Sequence, residues 1–197
     1  METDLTLLFD YLSRFITVNN ELKTYILNTI DIRRYGTSRT IVCLDEVPGH
    51  CWFLLQGTAM EYTYDDFDNL VPMRFFRAGD TVMPSGFMRR EPAHTAIRIL
   101  EETTALTSTY EQLMEMLNEF PETNQLMVLA TEAYYAENSK EKEYLQRKAD
   151  AEERVFYFEN KYPDLLQKIP AKYIASFLQI TPSTYSRARR KLRKGNN

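Results

Sequence analysis

Short apolar or alternating runs, separated by Gly, Pro, Asp and Asn, fill residues 32–107. Five of the six glycines lie in this stretch. Strands of this length at this turn spacing are typical of an antiparallel barrel or jelly roll. The pattern therefore restricts this part of the chain to an antiparallel β fold with short connections.

Helical periodicity flanks the strand-rich region. Apolar residues three and four apart predict short amphipathic helices at residues 3–12 and 20–30. Ser108 and Glu111 are predicted to form a capping box for a helix after the last strand. Pro121 fits the first turn of a longer helix, which we expect to pack against the barrel or against a second copy of itself. Its stripe consists of Leu126, Leu129, Ala130, Ala133 and Glu137.

A second helical cluster is predicted near the C-terminus, after a charge-dense stretch at residues 138–154. Because Lys, Glu and Arg are mixed in that stretch, it indicates a solvated helix or a helical linker. We place a domain boundary near Tyr144. The anchors of the cluster are predicted to be Val155, Phe156, Phe158, Tyr162, Leu165 and Leu166.

The segment after Asp164 is strongly basic. It contains no Asp or Glu, and six of the eight residues 187–194 are Lys or Arg, although the whole chain has a net charge of −4. An acidic body with a basic end favours a polyanionic partner at that end.

Residues 171–190 fit a helix, a tight turn and a second helix. Thr181 is predicted to cap the second helix, with Pro182 at its first position, where a missing N–H is harmless. Gln179 stands where many such turns have glycine, and a non-glycine residue costs about 1 kcal/mol there. The buried positions are predicted to be Ile174, Ala175, Leu178, Ile180, Tyr185, Ala188 and Leu192.

The opposite side of the second helix carries donors suited to base edges and phosphates in a DNA major groove. The candidate DNA-binding residues are Thr181, Ser183, Thr184, Ser186, Arg187, Arg190, Lys191 and Lys194. The alternative is an ordinary helical hairpin with a solvated basic tail.

Together these features resemble the Crp/Fnr family of bacterial transcription regulators, and most closely its short Bacteroidetes-type members. The segments that carry the resemblance are WFLLQGTAMEY, FFRAGD and NKYPDLLQKIPAKYIASFLQITPSTYSR. The family implies an α+β chain with an N-terminal antiparallel jelly roll of the cyclic-nucleotide-binding type, a long dimerisation helix, and a winged helix-turn-helix. We expect these domains at residues 1–118, 119–143 and 144–197. By resemblance, Ser183 and Arg187 match base-contacting positions.

The sensor region departs from the nucleotide-binding members of the family. Gly86 is followed by Phe87 rather than by the ribose-binding glutamate, and His94 begins the run where the phosphate-binding arginine is expected. A buried phosphate without a positive partner is poorly compensated, so cyclic AMP is not the expected effector. The residues left as candidates for effector contacts are Arg89, Arg90, Glu91 and Thr95. An alternative site for the effector is a pocket lined by the aromatic residues Trp52, Phe53, Phe75 and Phe76.

Enzymatic function is not expected. His50 and His94 are the only histidines, too few for a clustered metal site, and no nucleophile elbow or phosphate-binding loop is present. We therefore expect no catalytic residues, no metal and no cofactor. Without an apolar run of about 18 residues or a signal peptide, the expected location is the cytoplasm, with no membrane partner.

The sequence thus predicts a homodimeric regulator that binds double-stranded DNA at an inverted-repeat operator. Its small-molecule effector, if it has one, is unidentified. The competing hypothesis is a ligand-binding or protein-interaction module without specific DNA binding.

Overall fold

The computed structural model describes residues 5–147 and 150–195, with side chains described as far as residue 193. The helices in these ranges are α1 (Thr6–Ser13), α2 (Asn20–Thr29), α3 (Tyr110–Glu119), α4 (Glu122–Arg147), α5 (Ala151–Lys161), α6 (Ala171–Phe177) and α7 (Pro182–Gly195). The strands are β1 (Asp31–Tyr35), β2 (Thr40–Val42), β3 (His50–Gln56), β4 (Thr58–Tyr64), β5 (Leu70–Arg77), β6 (Thr81–Val82), β7 (Ala96–Ile99) and β8 (Thr103–Thr109).

Within the described residues, the strands form two four-stranded sheets. Their orders are β1-β8-β3-β6 and β2-β7-β4-β5. β8 pairs antiparallel with both β1 and β3, so that Thr107 lies opposite Asp31 on one side and Trp52 on the other. Neighbours so distant in sequence arise when the chain crosses repeatedly between two sheets, as in a jelly roll. The predicted α+β chain with an N-terminal antiparallel β domain is confirmed.

Strand β3 is buried on both of its faces. Successive side chains of a strand point to opposite sides, so Trp52 and Leu54 pack in the cluster between the sheets, with Phe76. Phe53 points the other way and packs with residues of α1 and α2. The indole nitrogen of Trp52 donates to the hydroxyl oxygen of Tyr35 at 2.8 Å, which satisfies its only polar atom. This double coverage explains why β3 is continuously apolar instead of alternating.

Helices α1 and α2 confirm the two N-terminal helices predicted from periodicity. Asn19 caps α2, because its side-chain oxygen accepts a hydrogen bond from the Leu22 amide at 2.8 Å. Leu22 and Ile26 from α2 then join Leu8 and Leu12 from α1 in the cluster around Phe53.

The predicted capping box at Ser108 and Glu111 is wrong by one residue. Strand β8 continues to Thr109, and Ser108 still pairs with Cys51 in the ladder. The box is formed by Thr109 and Gln112, whose side chains each bond the other's backbone N–H. Ladder pairing thus fixes Ser108 as strand and moves the start of α3 to Tyr110.

Helix α4 is a single helix of 26 residues, about 39 Å long at 1.5 Å per residue. Leu126 and Ala130 pack into the cluster formed with α1 and α2, as expected for packing against the barrel. Ala133 and Glu137, further along the predicted stripe, are exposed.

The chain divides into two compact units. One comprises the residues up to Glu61 together with Phe75–Tyr134, and the other comprises Tyr62–Arg74 together with the residues from Tyr135 onward. The second unit contains α5, a short 3-10 turn at Pro163–Leu165, α6 and α7. Its buried apolar residues are Tyr62, Leu145, Val155, Phe158, Tyr162, Leu165, Ile169, Ile174, Ala175, Leu178, Tyr185 and Ala188.

Two expectations for this unit need correction. Phe156 is 54% exposed and does not anchor the cluster, because it lies on the opposite side of α5 from Val155 and Phe158, which are fully buried. The wing implied by the family resemblance is not seen either, since the described residues from Tyr110 to Gly195 form helices and turns but no strand. The helix-turn-helix here is therefore carried by α5, α6 and α7 alone.

A polar network joins the end of α4 to α5. Glu141 is only 8% exposed, and its carboxylate accepts a hydrogen bond from the Tyr162 hydroxyl at 3.0 Å. The Lys161 ammonium lies 3.3 Å from Glu141 and 3.3 Å from Glu137. Burial and the Glu141 charge raise the pKa of Tyr162, so it remains a donor. A buried carboxylate is tolerated here because it is both paired and hydrogen-bonded.

Candidate nucleic-acid interface

The turn between α6 and α7 is tight and well bonded. Gln179 has a φ of 55°, the left-handed conformation that favours glycine at this position. The Gln179 amide donates to the Ser176 carbonyl at 3.0 Å, and the Ile180 amide donates to the Ala175 carbonyl at 3.0 Å. The Arg154 guanidinium adds a hydrogen bond of 2.9 Å to the Leu178 carbonyl. These contacts hold the turn despite the strained residue.

Helix α7 begins as predicted, with Pro182 as its first residue. The Thr181 hydroxyl oxygen accepts a hydrogen bond from the Thr184 amide at 3.2 Å, which confirms the predicted cap. The same hydroxyl lies 2.9 Å from the Ser183 hydroxyl and 2.9 Å from the Thr184 hydroxyl. The start of α7 therefore carries a cluster of three hydroxyl groups.

The side of α7 that packs inward is the predicted one. Tyr185 and Ala188 are buried, with Ile174, Ala175 and Leu178 of the preceding helix and turn. Leu192 and Ile180 are half-buried. The apolar spacing in the sequence was therefore sufficient to orient the helix.

The opposite side of α7 is exposed over two turns. Ser183, Ser186, Arg187 and Arg190 are all exposed and lie at spacings of three and four residues, which places them on one face of a helix. We call these four residues the outer face of α7. Among the described residues, no carboxylate forms an ion pair with either arginine, and Arg187 donates only to the Thr184 hydroxyl, at 3.4 Å. The outer face is thus a cationic surface bordered by hydroxyl groups.

Three other cations of α7 have different surroundings. Arg189 is mostly buried and donates from Nε to Glu159 of α5 at 2.6 Å, so it stabilises the helix packing. Lys191, a predicted DNA contact, forms an ion pair with Glu152 of α5 while its side chain stays 70% exposed. Lys194 lies in the last turn of α7, but its side chain is outside the described residues.

The predicted effector contacts do not converge on one site. Arg89 pairs with Glu91 at 2.7 Å. Arg90 lies 3.7 Å from Glu111 and stacks over the Tyr110 ring. Each guanidinium in this β6–β7 loop (residues 83–95) is therefore already beside a carboxylate of its own chain.

Thr95, the fourth effector candidate, belongs to a separate cluster. Its hydroxyl donates to Glu61 of β4 at 2.6 Å and lies 3.1 Å from the Ser85 hydroxyl. Ser85 in turn accepts from the His94 amide at 2.9 Å. The sequence does not predict the contacts of Glu61 and Ser85, because nothing in the local pattern links β4 to this loop.

The aromatic residues considered for an effector pocket are part of the packed interior. Trp52, Phe53, Phe75 and Phe76 are each at most 5% exposed. Among the described residues, no three His, Cys, Asp or Glu side chains are grouped so that they could hold a metal ion. None of the helices that the structure describes is long and apolar enough to span a membrane.

This arrangement of sandwich, long helix and helix-turn-helix matches solved regulator structures. FixK2 from Bradyrhizobium japonicum superposes with a TM-score of 0.75 at 18% identity, over 85% of this chain and 86% of that chain. The c-di-GMP responsive global regulator CLP from Xanthomonas campestris gives 0.67 at 15% identity, over 90% and 93%. A protein described as a Crp/Fnr-family transcriptional regulator, from Eubacterium rectale, gives 0.70 at 14% identity, over 90% and 85%.

The chain has the Crp/Fnr fold. No protein-family model matches the sequence, and no curated protein matches it significantly. The Crp/Fnr likeness therefore rests on three-dimensional structure, and it extends over both compact units of the chain. At identities this low the likeness establishes the fold alone.

Proposed function

We propose that this protein is a sequence-specific DNA-binding transcription regulator that acts as a homodimer. The observation that carries the proposal is the outer face of α7, where two arginines without a carboxylate partner among the described residues, and two serines, are exposed on one side of a capped helix. An arginine can bind guanine through two hydrogen bonds in the major groove, and a serine can donate to or accept from several bases. Helix-turn-helix proteins place the N-terminal part of the second helix against base edges.

Phosphate contacts would come from the hydroxyl cluster at the helix start and from the cations further along. Thr181, Ser183 and Thr184 lie at the N-terminus of α7, where the backbone dipole favours an anion. Lys191 and Lys194 follow near its end. Such contacts fix the orientation of the helix on the duplex, while the outer face determines sequence preference.

Homodimer formation is proposed through α4. Val128 is 66% exposed and Tyr135 is 63% exposed, although both are large and apolar or aromatic. They lie seven residues apart on a single long helix, the spacing by which two helices contact along a seam. A two-fold symmetric dimer reads two half-sites about one helical turn of DNA apart, so the operator would be an inverted repeat.

Cyclic AMP is not the proposed effector. Phe87, at the position of the missing glutamate, is fully buried against Leu113 and Leu117. Thr95 donates to Glu61, so a cyclic phosphate at this position would face a carboxylate instead of an arginine. Calorimetry with cyclic AMP should show no binding at micromolar concentrations, and micromolar affinity would overturn this part of the proposal.

The protein is proposed to act in the cytoplasm as a regulator without catalytic activity. The test of the DNA-binding proposal is selection of bound sequences from a random duplex library by the full chain. We expect enrichment of an inverted repeat, and loss of enrichment for Arg187→Ala. Arg34→Ala, which removes one exposed charge from β1, is the matched control and should select the same sequence.

Two outcomes would contradict the proposal. Retention of DNA without any enriched sequence would reduce it to non-specific binding. Absence of salt-dependent DNA retention would favour the alternative, a ligand-binding or protein-interaction module.

A further inference from the structure

Helix α5 begins with a group of carboxylates. Asp150 caps the helix by accepting a hydrogen bond from the Glu152 amide at 3.0 Å, and Glu152 and Glu153 occupy the first turn. Acidic residues at this end of a helix interact favourably with its dipole. Glu152 also contacts a second helix, since Lys191 of α7 donates a hydrogen bond to its Oε1.

Lys191 borders the outer face of α7. It lies four residues after Arg187 and next to Arg190, and its side chain is 70% exposed, whereas that of Glu152 is 34% exposed. The hydrogen bond and charge of Glu152 raise the pKa of Lys191, Asp150 adds to this effect, and Arg187 opposes it. The ammonium group therefore stays charged and is held between the cationic outer face and the carboxylates of α5.

We infer that Glu152 competes with DNA phosphate for Lys191 and so limits the affinity of this protein for duplex DNA. The inference rests on the proposed function. A carboxylate and a phosphate are both anionic acceptors for an ammonium donor. Glu152 opposes a phosphate at Lys191 in two ways, because it neutralises the cation and repels the incoming anion.

The other ion pair between α5 and α7 has a different role. Arg189 and Glu159 are both largely buried, with side chains 28% and 23% exposed, and Arg189 lies on the side of α7 that packs inward. Removing Glu159 would leave a cation poorly compensated within the protein. We therefore expect Glu159→Gln to lower stability, whereas Glu152→Gln should act on DNA binding.

The expected effect on affinity is modest, because exposed ion pairs contribute little. Replacing Glu152 by Gln should tighten binding about two- to fivefold, since Lys191 becomes available to a phosphate. It should also release about one more counterion on binding, which steepens the dependence of log K on log salt concentration by about one. Glu153→Gln removes the same charge from the same helical turn, but not the contact with Lys191, and is the matched control.

The experiment measures fluorescence anisotropy of a labelled duplex of about 30 base pairs and arbitrary sequence, between roughly 50 and 200 mM KCl. This probe needs no knowledge of the operator, because the phosphate contribution is independent of sequence. The proteins compared are the full-length wild type, Glu152→Gln, Glu153→Gln, Lys191→Ala and the Glu152→Gln/Lys191→Ala double variant. Circular dichroism confirms that each variant is folded.

The inference is supported if Glu152→Gln tightens binding and steepens the salt dependence, and if adding Lys191→Ala removes that gain. It is overturned if Glu152→Gln behaves like Glu153→Gln, or if it weakens binding. Weaker binding would mean that Glu152 positions Lys191 for DNA. If wild type and all variants fail to bind the duplex, the proposed function fails together with the inference, whereas a wild type that binds and does not respond to Glu152→Gln refutes the inference alone.

Discussion

The outer face of α7 and the β6–β7 loop both contain arginines that the sequence marked as functional, but their surroundings differ. Arg187 and Arg190 are exposed on one helix face without a carboxylate partner among the described residues. Arg89 and Arg90 lie beside Glu91 and Glu111 of the same chain. The difference teaches that equal side chains in the sequence meet different fates in the fold, since the loop arginines are compensated by carboxylates of the same chain and the outer-face arginines stay exposed.

The largest expected effect is a loss of folding stability caused by a substitution in the β6–β7 loop. Gly86 has a φ of 80°, and a Cβ at this position would overlap the carbonyl oxygen of Glu91. Gly86→Ala should therefore destabilise the sandwich by about 2–4 kcal/mol, because the loop closes on itself and cannot relax. Denaturation followed by the fluorescence of Trp52, the single tryptophan, measures this change.

Gly49→Ala is the control for that measurement. No atom lies within 4 Å of a Cβ built at Gly49, so the substitution should leave the transition almost unchanged. Equal stability of the two variants would show that the loop is loosely packed around Gly86 and would contradict this prediction.

The next effect is expected on the outer face of α7. Arg187→Ala should weaken binding to a selected DNA site by about 1–3 kcal/mol and relax preference at one base pair, because a base contact is lost. Lys194→Ala should weaken binding to all sequences more evenly, since phosphate contacts carry no sequence information. Titration of selected and unrelated duplexes separates the two results.

Arg89→Ala supplies the comparison from the loop. It also removes an arginine side chain, but one that is paired with Glu91 of the same chain. DNA affinity should therefore stay within about twofold of the wild-type value. If Arg89→Ala and Arg187→Ala lower affinity equally, the two regions do not differ in the way proposed.

A smaller effect is expected at the start of α7. Thr181→Ala removes the hydroxyl that accepts from the Thr184 amide, and loss of such a cap costs about 1 kcal/mol. The helical transition followed by circular dichroism should shift accordingly, while Trp52 fluorescence stays unchanged. Thr181→Ser, which keeps the acceptor, should restore most of the stability. Failure of serine to do so would assign the loss to the methyl group.

The smallest effect is a gain in stability at the turn. Gln179→Gly should stabilise the C-terminal unit by at most about 1 kcal/mol, because glycine adopts a positive φ without steric cost. Gln179→Ala keeps the strain and should give no gain. A destabilised Gln179→Gly variant would show that the glutamine side chain contributes contacts that outweigh the strain.

The parts of the fold that the sequence predicted are those fixed by local periodicity. In α7, burial of Tyr185 and Ala188 and exposure of Ser186 and Arg187 follow from a spacing of 3.6 residues per turn. The error at Phe156 has the same origin. It was grouped with Val155 and Phe158 by composition, although its position on the helix places it on the other side.

The parts that the sequence did not predict depend on residues far apart in the chain. Thr95 bonds Glu61, 34 positions earlier, and Arg90 lies beside Glu111 of α3. Such partners are fixed by strand order and loop path, which leave no local signal. The shift of the capping box to Thr109 is similar, because its neighbour Ser108 is held by pairing with Cys51. The predicted domain limits at residues 118 and 143 stay predictions.

The carboxylate of Glu141 fixes the end of α4 to α5. Tyr162 and Lys161, at the end of α5, both close on this one group in α4. Separating α4 from α5 would break both the hydrogen bond and the ion pair that compensate this buried carboxylate. Any change in the angle between the end of α4 and α5 therefore requires this shared carboxylate to lose its partners.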